Sequence, residues 1–238
     1  MQKVIITCHG YTGYPEEVAP IGEFFQARAY SWVNLQLPGH GTSAEDLKQT
    51  TWQDWTNYVD SMVEEQLKQF DTVIFAGLSL GGAMTLYALE QFPEIACGLA
   101  FAPPYQILTG WQKLLSKLPF INFWINKTEE DARDILHPLD EQHRSYMRHH
   151  TKSVRQLNAF VTNVRDSLDK IHQPLLIIQG SYDHVVPPES ADKILDKVNS
   201  ELKERLIVEG SHVLTREEQR DEWFEIAYEF VEKHINHE

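Results

Sequence analysis

The 238 residues include 35 Asp+Glu against 21 Lys+Arg, a formal charge of −14, and 42% of them are hydrophobic. That apolar fraction fills the core of one large α/β domain or two small ones, while an acidic balance with no basic run repels phosphate backbones and argues against nucleic acid as a partner. No stretch stays apolar long enough to cross a bilayer, and MQKVIITCHG lacks the apolar region and cleavage site of a secretory signal, so a cytoplasmic protein without membrane insertion is expected.

In chain order, β-branched and apolar runs predict strands at KVIITC (3–8), SWVNLQ (31–36), TVIFAGL (72–78), IACGLAFA (95–102), PLLIIQG (174–180) and RLIVE (205–209). Helical periodicity lies between them. Val18, Ile21, Phe24 and Phe25 mark one face, and Trp52, Trp55, Val59, Met62, Val63 and Leu67 another. GGAMTLYALEQF runs as a helix up to Pro93, and Trp223, Ile226, Phe230 and Val231 mark a last one. Strands alternating with helices predict an α/β fold with a mostly parallel central sheet and helices on both faces. The alternation breaks once, in residues 104–172, which read as helix and loop without a strand. The expected organisation is therefore a core of residues 1–103 and 173–238 with a helical cap, 104–172, inserted into it. Cys8 and Cys97 both fall inside strand runs, outside any CxxC, and read as buried free thiols.

Gly77-Leu78-Ser79-Leu80-Gly81 matches G-x-S-x-G between a predicted strand and a predicted helix. A serine on so sharp a turn presents its hydroxyl, and a side chain at either flanking glycine would strike the neighbouring backbone. The competing reading is a glycine-rich turn entering a helix. After the next-to-last strand comes GSYDHVVPP, with Asp183 just past a parallel strand's C-terminal end, where open α/β sheets bind ligands; a plain Asx turn is the alternative. Asp131 and Asp134 are rivals, both in a charged stretch of the cap. His212 follows the last strand in RLIVEGSHVLT, which completes the chain order Ser79, Asp183, His212. Of eleven histidines, His9 and His40 precede the serine in glycine-rich loops, His184 adjoins the acid, and most others lie in the cap or the C-terminal tail.

In such a set the imidazole takes the serine proton and the carboxylate fixes the imidazole tautomer. The oxyanion then needs preorganised N–H donors, expected at Leu80, after the nucleophile, and at Tyr11 in His9-Gly10-Tyr11-Thr12-Gly13; a tight glycine turn is the other reading of that loop. In the cap, Trp111, Leu115, Phe123 and Trp124 belong to an apolar stripe expected to line a substrate pocket, most of the stripe packing the cap onto the core. The histidines at 143–150 lack metal-ligand spacing, so neither metal nor cofactor is expected.

HGYTG after the first strand, LPGHG (37–41) after the second, GLSLGG, QGSYDHVVPPESA and GSHVLT together resemble the small bacterial carboxylesterases of the α/β-hydrolase fold, which are similar in turn to monoacylglycerol lipases. The resemblance covers nearly the whole chain except the cap. It implies a triad of Ser79, Asp183 and His212 and oxyanion N–H groups at Tyr11 and Leu80. The expected reaction is hydrolysis of short- to medium-chain carboxylic esters by a monomer or weak homodimer, the apolar cap favouring an apolar acyl or alcohol group. Two alternatives stay open: another acyl or carbon bond cleaved by the same triad, as in monoacylglycerols, thioesters, amides or C–C substrates, and a binding protein that keeps the pocket without the chemistry.

Overall fold

The computed structural model describes residues 2–108, 122–127 and 145–235. The strands among them are β1 (Lys3–Cys8), β2 (Ser31–Leu35), β3 (Thr72–Leu78), β4 (Cys97–Phe101), β5 (Trp124–Asn126), β6 (Arg148–His150), β7 (Leu175–Gly180) and β8 (Lys203–Val208). Six of them form one sheet in the order β2-β1-β3-β4-β7-β8, every neighbouring pair parallel. β5 and β6 pair antiparallel in a sheet of their own. This pair corrects the expectation of a strandless 104–172. Each is three residues long and gains its ladder only from the other, so neither leaves a period to read.

The described helices are α1 (Ala19–Gln26), α2 (Ala44–Gln49), α3 (Trp52–Gln69), α4 (Leu80–Gln91), α5 (Thr151–Arg165), α6 (Glu189–Leu195) and α7 (Arg220–Ile235). Parallel strands need crossovers, and the crossovers cover both faces of the sheet. Alternate side chains therefore enter two cores. Ile5, Ile74, Leu99, Phe101, Leu176 and Ile178 pack with α1 and α7 residues such as Phe25 and Phe224. Val4, Ile6, Phe75, Ala100 and Ile177 pack on the other face with Trp55 and Val63 of α3, Met84 and Ala88 of α4, and Phe160 of α5. Cys8 and Cys97 are free thiols buried in these layers, and burial pushes both thiol pKa values up.

α3 starts at a capping box: the Thr51 side chain accepts the Asp54 N–H and the Asp54 carboxylate accepts the Thr51 N–H. That bonding holds the Asp54 carboxyl below its ordinary range. What positions the site is the register. Cys8 pairs with Gly77, Leu78 with Phe101, and Gly180 with Val208, so the strands end along one edge and the loops after β1, β3, β7 and β8 converge there. No described helix is long and apolar enough to cross a membrane.

Candidate active site

Ser79 stands between β3 and α4 at φ 57, ψ −111, a backbone conformation that a non-glycine residue adopts only under constraint. The constraint is visible on both sides. The Ser79 N–H donates to the Phe101 carbonyl at 2.8 Å, and the Ser79 carbonyl accepts the Ala83 N–H at 2.9 Å in the first turn of α4. A Cβ on Gly77 would lie 2.2 Å from the Gly81 carbonyl oxygen, and one on Gly81 1.9 Å from that of Cys8. Both glycines of the motif are therefore demanded by backbone packed against backbone.

Asp183 and His212 lie on the loops after β7 and β8, each 5% exposed. His212 Nδ1 is 2.8 Å from Asp183 Oδ2. The carboxylate is held from its other sides as well. Oδ1 accepts the N–H groups of Val185 and Val186 at 2.9 and 2.8 Å, and Oδ2 accepts Gln179 Nε2 at 2.9 Å. A carboxylate that accepts so many donors is fixed in orientation, with Oδ2 turned to the imidazole N–H. Gly180 serves the meeting of the two loops by closeness rather than by an unusual turn: a Cβ there would lie 2.4 Å from the Ser211 carbonyl oxygen. The His212 loop is tied down by Ser211, whose N–H and hydroxyl both donate to Glu217 Oε1, and by Thr215, whose hydroxyl donates to the Glu17 carbonyl.

Ser79, His212, Gly10, Tyr11 and Thr12 line one cavity of about 450 Å³, the size of a small-molecule site. Leu80 opens α4, so its N–H has no carbonyl one turn back in the helix to serve. The Gly10 N–H donates to Glu17 Oε2 at 2.6 Å and the Gly13 N–H to the Gly10 carbonyl at 3.1 Å. These bonds fix the loop on either side of Tyr11. His9 serves the same loop. Its Nε2 accepts the Leu37 N–H at 3.1 Å, so Nδ1 carries the proton and donates to the Gly10 carbonyl at 2.9 Å. His40 is buried against His9 and Trp55, ring centroids 5.0 and 5.5 Å away. Both are structural and neutral.

Burial lowers the basicity of His9, and of His40 more strongly, from the ordinary 6.5. The unfolded chain then binds protons below pH 6.5 that the folded chain refuses, so stability is full above that pH and falls as pH drops through the interval down to the folded values. The limiting slope is about 1.4 kcal/mol per pH unit for each histidine. Thermal melts from pH 7.5 to 5 should show the loss, and His40→Phe should remove part of it; parallel curves for the two proteins would contradict this assignment.

Much of the rest of the cavity wall comes from the chain between β4 and β7. Of the four residues expected there, Trp111 and Leu115 lie outside the described residues, as do Asp131, Asp134 and His143. Phe123 and Trp124 do not line the cavity. Phe123 is 51% exposed, and Trp124 packs edge-on against His150 at 5.1 Å beneath the Arg148 guanidinium. The expected stripe is extended chain at this point: Ile125 and its partner His149 line the cavity, and the adjacent pair Trp124 and His150 does not. Gln106, Ile107, Asn126, Lys127, Val154 and Leu157 complete that wall. Sequence reasoning passed over Gln179, Glu17 and Lys127. A polar Gln179 in the otherwise apolar run LLIIQG was a usable signal; the other two act through contacts that only the fold creates.

Serine, aspartate and histidine in this chain order, each just past a parallel strand, is the α/β-hydrolase arrangement. The chain belongs to the family described as serine aminopeptidase, S33 (Hydrolase_4), whose model matches residues 1–219. It is 30% identical over 231 residues to a thermostable monoacylglycerol lipase of Bacillus sp. (strain H-257), covering 97% of this chain and 90% of that one. It is 27% identical over 236 residues to a carboxylesterase of Bacillus subtilis (strain 168), covering 97% and 93%. Among solved structures it superposes with a TM-score of 0.88, at 26% identity over 98% of this chain and 94% of the other, on a chain from the work on LipS and LipT, two metagenome-derived lipolytic enzymes. Family and relatives together make it an esterase/lipase-like α/β-hydrolase.

Proposed function

We propose that the protein is a serine carboxylesterase that hydrolyses short- to medium-chain carboxylic esters through an acyl-enzyme on Ser79. One observation carries the reading: the 2.8 Å bond between His212 Nδ1 and a four-times-bonded Asp183, with His212 and the strained Ser79 lining the same cavity. With Nδ1 donating to Asp183, His212 Nε2 is left as the base. It takes the Ser79 proton as Oγ attacks the ester carbonyl, and the Tyr11 and Leu80 N–H groups receive the oxyanion. The imidazolium returns the proton to the departing alcohol. Water, deprotonated by the same nitrogen, then releases the acid and restores the serine.

No step needs a metal or cofactor. The chemistry of the wall supports a small ester with an apolar group: Ile107, Ile125, Leu157, Val185 and Val213 face the cavity. A second reading, monoacylglycerol hydrolysis, draws support from the polar groups on that wall, Asn126 and His149, which suit a hydroxylated alcohol, and from the lipase relative. The residues 104–172 act in either case as a cap over the serine, and the reduced Cys8 and Cys97 accord with a cytoplasmic setting.

Rates on p-nitrophenyl esters from acetate to laurate, beside a 1-monoacylglycerol, an alkyl thioester and an anilide, test the assignment. The carboxylesterase reading expects kcat/KM to peak at short to medium acyl chains and to exceed that for the monoacylglycerol. A preference for the monoacylglycerol would move the second reading forward, and turnover confined to the thioester or anilide would overturn both.

A further inference from the structure

We infer that Lys127, which follows β5 over the cavity, is a positioning residue for the oxyanion hole. The inference rests on the proposed role of the Tyr11 N–H. The residue after that donor, Thr12, sits at φ 63, in the left-handed region that a β-branched side chain adopts only where its surroundings hold it. What holds it is the chain between β4 and β7. Lys127 Nζ donates to Thr12 Oγ1 at 2.8 Å and to Ser145 Oγ at 2.6 Å, the two hydroxyl oxygens are 2.9 Å apart, and the Tyr146 N–H donates to the Thr12 carbonyl at 3.1 Å. An ammonium suits this place because it offers three protons and can serve both oxygens at once.

The clamp is itself anchored to the core. Tyr146 Oη donates to the Gly39 carbonyl at 2.9 Å and accepts the Thr42 N–H at 2.8 Å, both on the loop after β2. On the opposite side, Glu17 fixes the Gly10 N–H. The Tyr11 peptide is thus gripped from the core at Gly10 and from across the cavity at Thr12. The overlying segment contributes a bond network that sets the direction of a catalytic N–H, besides any contact with substrate. Releasing the grip at Thr12 lets that N–H swing from the direction in which charge develops, which weakens the transition state more than the ground state.

The test is kcat and KM of Lys127→Met, Lys127→Arg and Ser145→Ala on a p-nitrophenyl ester. It adds the inhibition constant of an alkyl trifluoromethyl ketone, which forms a tetrahedral adduct on the serine, and active-site titration by a fluorophosphonate to count competent enzyme. Per titrated site, Lys127→Met is expected to lose tenfold or more in kcat with KM within about twofold and ketone affinity falling by the same factor as kcat. Lys127→Arg recovers most of the loss, and Ser145→Ala gives a smaller loss of the same pattern, which keeps the test available if the methionine variant does not fold. An unchanged kcat, a rise in KM alone, or a lower kcat with undiminished ketone affinity overturns the inference. Failure of the fluorophosphonate to label wild-type protein overturns instead the serine reading on which it stands.

Discussion

Ser79→Ala is expected to abolish turnover, lowering kcat by on the order of 10⁵-fold or more, while leaving the melting temperature unchanged. Both halves follow from the local structure. The Ser79 side chain makes no capping bond to α4, and the strained φ 57 is imposed by the Phe101 and Ala83 backbone bonds, which alanine keeps. The fold therefore loses nothing when the hydroxyl goes. The chemistry loses its attacking atom, and the imidazole of His212 has no group to deprotonate except water. Ester turnover and a circular-dichroism melt on the same preparation check the two halves, and a variant that keeps a hundredth of the wild-type rate would show that another residue attacks.

Asp183→Asn is expected to cost about 10⁴-fold in kcat, far more than a change of one atom would suggest. The N–H groups of Val185 and Val186 both point at Oδ1, so the asparagine oxygen settles there and its NH₂ takes the place of Oδ2. That NH₂ then meets two groups that used to donate to a carboxylate oxygen, Gln179 Nε2 and His212 Nδ1. Facing a donor, the imidazole moves its proton to Nε2, the nitrogen that must accept from Ser79, and the base is lost without any loss of shape. KM should hardly move. Steady-state kinetics of Asp183→Asn, with fluorophosphonate labelling slowed in parallel, checks this; labelling at the wild-type rate would place the orienting acid elsewhere.

The strands buried on both faces were the most legible part of the fold. β1 and β3 span the residues expected of them, because Val4, Ile5 and Ile6, and Val73, Ile74 and Phe75, enter the two cores alternately and so must all be apolar. β8 shows the limit. It begins at Lys203 rather than Arg205, and its exposed first residues, Lys203, Glu204 and Arg205, are what an edge strand tolerates and a hydrophobic pattern misses. At the site, Ser79, Asp183 and His212 stood out because each follows a recognisable strand and their order is informative. Phe123 and Trp124 misled because a dense run of apolar residues looks alike whether its members face a cavity or a neighbour. Lys127 could not be found from local pattern: its partner Thr12 lies 115 residues away, and a lysine between a strand and a polar stretch carries no mark of a clamp.

As proposed, Ser79, set on the elbow between β3 and α4 and served by His212, is the nucleophile. Reaction of the folded protein with a fluorophosphonate, read by intact mass and then by mapping of the modified peptide, tests it most directly. One adduct per chain is expected, located on Ser79 and absent from Ser79→Ala. Folded wild-type protein that takes up no label, or a label mapped to any other residue, would contradict it.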